Sequence, residues 1–191
     1  MSRLTLIFGP MFSGKSSYLI KEINKFKNKE LLLSVNHKID NRYDNNKIVN
    51  HNKLSVDCLS LNKLNDIYNY NINFNKLEHL FIDESQFFND LEYNVKHILN
   101  TYPKLNITCA GLDGDYKQNL FYDGQLLHLI PYADNVIKLY SKCYECGKKA
   151  PFTKKIYINE DNEDNEDDDG NEKQIVVGSS DIYQPSCYIH K

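Results

Sequence analysis

The chemistry-bearing residues nearest the start of the chain form a glycine-rich segment. Gly9-Pro10-Met11-Phe12-Ser13-Gly14-Lys15-Ser16 fits the pattern G-x-x-x-x-G-K-[ST] at every fixed position. Gly9 and Gly14 permit backbone angles that let N–H groups surround an anion. The Lys15 ammonium can then reach the β- and γ-phosphates of a nucleotide, and the Ser16 hydroxyl can ligate Mg²⁺. The segment therefore predicts a phosphate-binding loop, or P-loop, for a nucleoside triphosphate.

A pair of acidic residues supplies the other half of such a site. The apolar residues Phe81-Ile82 precede Asp83-Glu84, so the two carboxylates are predicted to stand at the end of a strand. Asp83 is the expected partner of the bound magnesium, directly or through water. Because adjacent strand residues point to opposite sides, we expect Glu84 to face an acceptor hydroxyl and to take its proton.

Cysteine and histidine spacing predicts a metal site near the end of the chain. Cys143-x-x-Cys146 and Cys187-x-x-His190 present four soft or borderline ligands in two close pairs. Two such pairs usually make a closed tetrahedral structural zinc site with no open position for a reacting water. A redox pair is the other interpretation of a single C-x-x-C, and the second pair weighs against it.

These residues need elements that bring them together. Short apolar runs predict strands that alternate with segments of helical spacing, which is typical of an α/β protein with a mostly parallel sheet and helices on both faces. Residues 40–54 are polar and weakly patterned, so we expect a long loop there. The expected strands cover residues 4–8, 31–35, 80–82, 107–111 and 136–139, and the expected helices cover residues 15–27 and 91–99.

The chain changes character at Cys143, where helical spacing stops and short β-like runs begin, at residues 155–158 and 174–177. We therefore expect a P-loop nucleotide-binding α/β domain over residues 1–140 and a small zinc-binding domain over residues 141–191. Eight of the ten residues from Glu160 to Asp169 are acidic. Charge at this density favours a disordered insertion, at about residues 159–172.

Composition narrows the class of protein. Of the 191 residues, 41% are hydrophobic, enough for a sizeable core. No apolar run approaches the roughly 20 residues of a membrane-spanning helix, and the start lacks a secretory signal, so we expect a cytoplasmic location without a membrane partner. Outside the acidic tract, 18 acidic residues stand against 23 basic ones. This mildly basic balance suits phosphate ligands and falls short of a nucleic-acid footprint.

Together these motifs resemble those of the type II thymidine kinase family. Asp83-Glu84-Ser85-Gln86-Phe87 and Leu112-Asp113-Gly114-Asp115-Tyr116, followed by Phe121, are similar to its signatures, as is the P-loop interior. The zinc pairs, together with Gly178, Asp181 and Tyr183, are similar to its zinc ligands and to the end of its substrate-covering loop. The blocks follow the family's order from Gly9 to His190. Tyr116 and Ser179 depart from it, since Phe and Gly are common there.

The resemblance implies an ATP-dependent kinase that phosphorylates the 5′-hydroxyl of thymidine to dTMP, in deoxynucleoside salvage for DNA synthesis. It places Gln86 on ATP and Glu84 at the catalytic step. Arg42, in an Asp-x-Arg-Tyr element, is either a phosphate contact or a solvated loop residue. A homotetramer with feedback inhibition by dTTP is also implied. The implied thymidine pocket consists of Met11, Phe87, Leu112, Tyr116, Phe121, Thr153, Gln174, Ile175, Val176, Val177, Gly178 and Tyr183.

The sequence leaves two other functions open. One is a kinase for another deoxynucleoside, such as deoxyuridine or deoxycytidine. The other is a zinc-ribbon nucleic-acid-binding protein with a vestigial nucleotide site, although the chain lacks Lys and Arg interleaved with aromatic residues. A guanine-reading Asn-Lys-x-Asp motif is missing from the sequence, which counts against a GTPase, and the short chain counts against a helicase or motor.

Overall fold

The computed structural model describes residues 3–39, 46–50, 53–156 and 182–191. Two α-helices occur in these residues, α1 (Lys15–Asn24) and α2 (Leu91–Thr101). Short 3₁₀ helices cover Lys29–Leu31, Leu64–Asn69, Phe74–Lys76, Ser85–Phe87, Tyr122–Gly124 and Leu127–Tyr132. The strands are β1 (Leu4–Phe8), β2 (Leu32–His37), β3 (Lys47–Val49), β4 (Ser55–Asp57), β5 (Leu59–Leu61), β6 (His79–Ile82), β7 (Asn106–Gly111), β8 (Asn135–Lys138), β9 (Ser141–Lys142), β10 (Lys149–Ala150), β11 (Phe152–Lys155) and β12 (Tyr183–Ser186).

A six-stranded sheet forms the centre of the protein, in the order β5-β2-β6-β7-β1-β8. Its strand pairs all run parallel. Parallel strands need crossover connections, and these carry the helices to the two faces of the sheet. The predicted α/β class with a mostly parallel sheet is confirmed.

The two faces of the sheet have separate apolar cores, which the alternation of side chains along β1 explains. Leu4 and Leu6 point into the cluster that contains α2 and several of the 3₁₀ helices. Ile7 points the other way, into the cluster that contains Leu19 and Ile23 of α1. This period-two pattern on a strand that is buried on both sides fixes the register of β1 between β7 and β8.

One expectation about an irregular segment is corrected by the structure. The region predicted as a long loop contains β3, which pairs antiparallel with β4. The β-like run expected at residues 155–158 starts at the last residue of β11, which pairs antiparallel with β12, and residues 157 and 158 lie outside the described residues. The run at 174–177 and the acidic tract lie outside the described residues. Local composition did not reveal these strands because both pairs are short, and β11 also depends on a partner, β12, that is distant in the chain.

The metal-ligand pairs lie beside small antiparallel elements. Cys143 directly follows β9, which pairs with β10, and Cys187 directly follows β12. Within the described part of the chain, no helix combines the length and apolar character needed to cross a membrane.

Candidate active site

Parallel strands place the predicted functional residues at one edge of the sheet. The P-loop follows β1, Asp83 and Glu84 follow β6, and Leu112 follows β7. The carboxyl ends of parallel strands share one edge, where ligands bind in open α/β sheets. The strand order therefore gathers segments that lie more than 100 residues apart in the chain.

The P-loop backbone has the shape expected of an anion cradle. Gly14 has φ 86° and precedes α1, and Phe12 has φ 62°, so the loop turns twice through left-handed conformations. Gly9 lies against the chain after β8, where an added Cβ would clash with the Leu139 carbonyl oxygen. The loop ends at the N-terminus of α1, where backbone N–H groups and the helix dipole favour negative charge.

The polar side chains of the P-loop fit a phosphate ligand. Lys15 is buried and its ammonium donates to the Pro10 carbonyl oxygen at 2.9 Å, within the loop itself. The Ser13 hydroxyl is buried, and among the described residues it has no hydrogen-bond partner. A buried hydroxyl without a partner is costly, and a ligand oxygen would satisfy it.

Two hydrogen bonds join the P-loop to the strands near the metal ligands. The Met11 N–H donates to the Thr153 hydroxyl oxygen at 2.9 Å, and the Ser141 hydroxyl donates to the Phe12 carbonyl oxygen at 3.2 Å. Thr153 belongs to β11 and Ser141 to β9. Strands β9 and β11, which belong to the predicted zinc-binding domain, are thus bonded directly to the phosphate loop.

Asp83 is buried beside the P-loop, with 3% of its surface exposed. Burial, together with the nearby Glu84 charge, raises its pKa to about 7, while a hydrogen bond with Ser16, the Glu84 N–H and the Lys15 charge act to lower it. The contact brings the Asp83 carboxylate and the Ser16 hydroxyl together. Both are hard oxygen groups of the kind that magnesium prefers, so the pair fits the predicted metal role.

Glu84 reaches the site by a different geometry from the predicted one. Strand β6 ends at Ile82, and Glu84 has φ 48° and ψ 38°, a left-handed conformation that few residues other than glycine adopt. Asp83 and Glu84 are therefore not adjacent strand residues, and the strand alternation that we expected to separate them does not apply. The Glu84 N–H donates to the Asp83 carboxylate at 3.0 Å.

Gln86, which the family resemblance placed on ATP, is 1% exposed and has protein partners at both ends of its side chain. Its amide nitrogen donates to the Glu84 carboxylate at 2.7 Å. Its amide oxygen accepts the Leu112 N–H at 2.8 Å. The side chain therefore links the turn after β6 to the end of β7.

Most of the predicted thymidine-pocket residues that the structure describes lie in contacting pairs. The rings of Phe87 and Phe121 meet edge to face, with centroids 5.6 Å apart, and those of Tyr116 and Tyr183 lie 6.2 Å apart. Met11 and Thr153 form the hydrogen-bonded pair described above, and Leu112 adjoins Gln86. The other predicted site residues, Arg42, Gln174, Ile175, Val176, Val177 and Gly178, lie outside the described residues.

Sequence reasoning missed an ion pair at the same edge. Lys138 ends β8, and its ammonium pairs with the carboxylate of Asp113, which follows Leu112. Burial and the charge of Lys15 lower the pKa of Lys138, which places a second cation near the P-loop lysine. The pair spans the carboxyl end of β1. The only sign of this ion pair in the sequence was a charged residue near the end of a predicted strand. That pattern is too common to identify a functional residue.

The predicted zinc ligands come together. The ligand atoms of Cys143, Cys146, Cys187 and His190 all lie within 4.8 Å of one another. The Cys146 and Cys187 sulfurs are 3.7 Å apart, and His190 Nδ1 lies 3.4 Å from the Cys143 sulfur and 3.5 Å from that of Cys187. Zn–S bonds of about 2.3 Å and a Zn–N bond of about 2.0 Å in a tetrahedron give ligand separations of roughly 3.5 to 3.8 Å. The donor set and its spacing fit zinc.

Comparison with known proteins agrees with the geometry. The sequence profile of the family described as "Thymidine kinase" matches residues 2–190. The chain belongs to the thymidine kinase family. This match includes the P-loop, the acidic turn and the Cys/His cluster, so the family resemblance found from the motifs is confirmed.

Individual members of the thymidine kinase family are similar over nearly the whole chain. "Thymidine kinase" of Amsacta moorei entomopoxvirus is 34% identical over 96% of this chain and 94% of its own length. "Thymidine kinase a" of Arabidopsis thaliana is 34% identical over 97% of this chain and 73% of its own. "Thymidine kinase, cytosolic" of Gallus gallus is 30% identical over 99% and 78%.

Proposed function

We propose that this protein transfers the γ-phosphate of ATP to the 5′-hydroxyl of thymidine, giving dTMP. The observation that carries the proposal is the meeting of a P-loop and an acidic turn at one sheet edge, in a chain that matches the thymidine kinase profile over residues 2–190. Relatives from a poxvirus, a plant and a bird carry the same name. A kinase for another deoxynucleoside and a nucleic-acid-binding protein are not favoured.

In this proposal the P-loop, residues 9–16, binds the ATP phosphates. Its backbone N–H groups and the start of α1 receive the phosphate oxygens. The Lys15 ammonium, now on the Pro10 carbonyl oxygen, turns to the β- and γ-phosphates. Ser16 and Asp83 would hold Mg²⁺, which neutralises charge that builds on the phosphates during transfer. Arg42 remains a predicted phosphate contact outside the described residues.

Glu84 is the proposed general base for the thymidine 5′-hydroxyl. It follows Asp83 in the chain and stands at a left-handed turn beyond the end of β6. A carboxylate that accepts the hydroxyl proton typically contributes about 10²- to 10⁴-fold to the rate. The remaining acceleration comes from alignment and charge neutralisation at the P-loop.

The thymidine pocket is proposed to lie between the aromatic pairs and the Met11–Thr153 bond. Phe87 with Phe121, and Tyr116 with Tyr183, offer apolar walls for a flat base, and a base bound between such walls would help to exclude water from the reacting groups. Residues 174–178 are predicted to bind the base edge through their backbone.

Zinc would support this pocket rather than take part in the reaction. Cys143 and Cys146 lie in the segment that joins β9 to β10, and Cys187 and His190 follow β12. A closed four-ligand site would hold β11, and with it Thr153, against the P-loop. We also propose that residues 1–140 and 141–191 form two domains.

Assembly, regulation and location complete the proposal. Family membership supports a homotetramer that is inhibited by dTTP. A similar protein from Gallus gallus is named as cytosolic, which supports the same location here.

A nucleoside panel with ATP and Mg²⁺ tests the function. Labelled monophosphate should form from thymidine at a kcat/KM well above that for deoxycytidine. In the same assay, Glu84→Gln should lose roughly 100-fold or more in kcat while thymidine binding is kept, because the change preserves size and removes basicity. Glu30→Gln, at an exposed carboxylate outside the site, is the matched control. If Glu84→Gln keeps more than about a tenth of kcat, Glu84 is not the general base.

A further inference from the structure

We propose that Gln86 is a positioning residue that sets the direction of the Glu84 carboxylate and fixes it to the end of β7. The inference rests on the proposed thymidine kinase function and assigns Gln86 a role through Glu84 instead of the ATP contact implied by the family resemblance. The one side chain connects two segments of the site, the turn after β6 and the residue that follows β7.

Each end of the Gln86 amide faces a partner of the opposite hydrogen-bonding type. The amide nitrogen lies 2.7 Å from a Glu84 carboxylate oxygen, and the amide oxygen lies 2.8 Å from the Leu112 nitrogen. In the opposite orientation the Gln86 amide oxygen would face the Glu84 carboxylate, and the Gln86 NH₂ group would face the Leu112 N–H. The network therefore determines the orientation, and the buried side chain has one arrangement that satisfies both ends.

Gly111 leaves the space that this arrangement needs. A Cβ at Gly111 would meet the Gln86 amide oxygen at 2.6 Å and the Leu126 side chain at 2.8 Å. Contacts below about 3 Å essentially do not occur for real Cβ atoms, so any larger residue would displace the Gln86 amide or the Leu126 side chain. The last residue of β7 is thus fitted to the Gln86 side chain.

The left-handed turn at Glu84 explains why such a brace is useful. A residue other than glycine in this conformation is strained and persists where its surroundings hold it. The Asp83 carboxylate accepts the Glu84 N–H and fixes the backbone, while Gln86 holds the carboxylate. Because the other end of Gln86 is on Leu112, the base and a predicted thymidine contact keep a constant separation.

A positioning role differs from an ATP contact in the kinetic constant that it changes. Gln86→Met keeps the length and buried volume of the side chain but removes both hydrogen bonds. We expect kcat to fall roughly 10- to 100-fold, with the KM values for ATP and thymidine within about threefold, because misplacement of a reacting group by about 1 Å costs on that order. Gln125→Met is the matched control, since Gln125 also accepts a backbone N–H, that of Glu92 at 3.1 Å, away from Glu84. It should keep kcat within about twofold.

A double-mutant cycle with Glu84→Ala tests the route of action. If Gln86 acts through Glu84, adding Gln86→Met to Glu84→Ala should change kcat by less than about twofold, although it costs 10-fold or more in the wild-type background. Equal losses in both backgrounds would overturn the proposal, as would a Gln86→Met variant that keeps kcat and raises the ATP KM. Gln86→Asn, one methylene too short to span both partners, should behave like Gln86→Met and replaces it if that variant does not fold. A wild-type protein without thymidine kinase activity would refute the proposed function instead.

Discussion

Replacing Thr153 by valine tests whether β11 holds the P-loop in its active shape. Valine has nearly the volume of threonine, so the change removes the hydroxyl that accepts the Met11 N–H at 2.9 Å and little else. Thr153 is only 5% exposed, so water has little access to the position of the lost hydroxyl. The Met11 N–H would be left without its partner.

The size of the effect follows from the burial of the two partners. An unsatisfied buried donor costs about 1 to 3 kcal/mol. Met11 is half-buried, which lets water replace part of the bond, so we expect about 1 to 2 kcal/mol. If that energy is expressed in the transition state, kcat/KM for thymidine falls about 5- to 30-fold. For a chain of this length, the same energy lowers Tm by about 2 to 8 °C.

Thr153→Ser separates the hydroxyl from the methyl group. Serine keeps the acceptor and loses one buried methyl, worth about 1 kcal/mol of stability. Both variants should therefore melt earlier than wild type, but Thr153→Ser should keep kcat/KM for thymidine within about threefold. Steady-state assays with varied thymidine at saturating ATP give the comparison. If the two variants have the same kcat/KM, the Met11–Thr153 bond does not hold the P-loop for catalysis.

Three further predictions concern the P-loop, the four predicted zinc ligands and a buried histidine. Lys15→Ala should lose roughly 100-fold or more in kcat with the thymidine Kd nearly unchanged, and an unchanged steady-state rate at saturating ATP would contradict the P-loop assignment. Purified protein should contain one zinc per chain, and Cys187→Ser should lose both the metal and thermal stability, as measured by metal analysis and melting. Burial between Phe26 and Phe81 lowers the pKa of His79 to about 4. His79 binds its proton more tightly in the unfolded chain, so the free energy of unfolding should fall by up to about 3 kcal/mol as the pH drops from 6.5 to 4. Denaturant titrations of His79→Gln over the same pH range should show a smaller loss.

The chemistry of the site could be predicted from the sequence because its motifs are local. A P-loop needs a fixed spacing of glycine, lysine and serine on one continuous turn, so Gly9, Gly14, Lys15 and Ser16 identify it without a fold. The two metal-ligand pairs are each local as well, and the structure brings Cys143 and Cys187 together as expected. Strand β1 and helix α1 were predictable for the same reason, since the strand is a short apolar run that ends at a glycine and the helix repeats its apolar residues at helical spacing.

The geometry around Glu84 was decided by the tertiary structure. The sequence placed a carboxylate after an apolar strand, but strand alternation does not apply to it, because β6 ends at Ile82 and the next residues turn. The Gln86 side chain bonds to Glu84 within this turn and to Leu112 beyond β7, in space that a side chain at Gly111 would fill. No local pattern encodes a contact between residues 86 and 112.

The sequence by itself determined which groups are available for chemistry: a phosphate loop, two carboxylates and four soft metal ligands. The tertiary structure decided which of them meet. The order β6-β7-β1-β8 brings Lys138 and Asp113 across the end of β1, and the pairing of β11 with β12 places Thr153 on Met11. Such contacts depend on strand order and on packing between segments that are distant in the chain. Both are determined by the free energy of the whole fold, so they cannot be predicted from short-range periodicity and spacing.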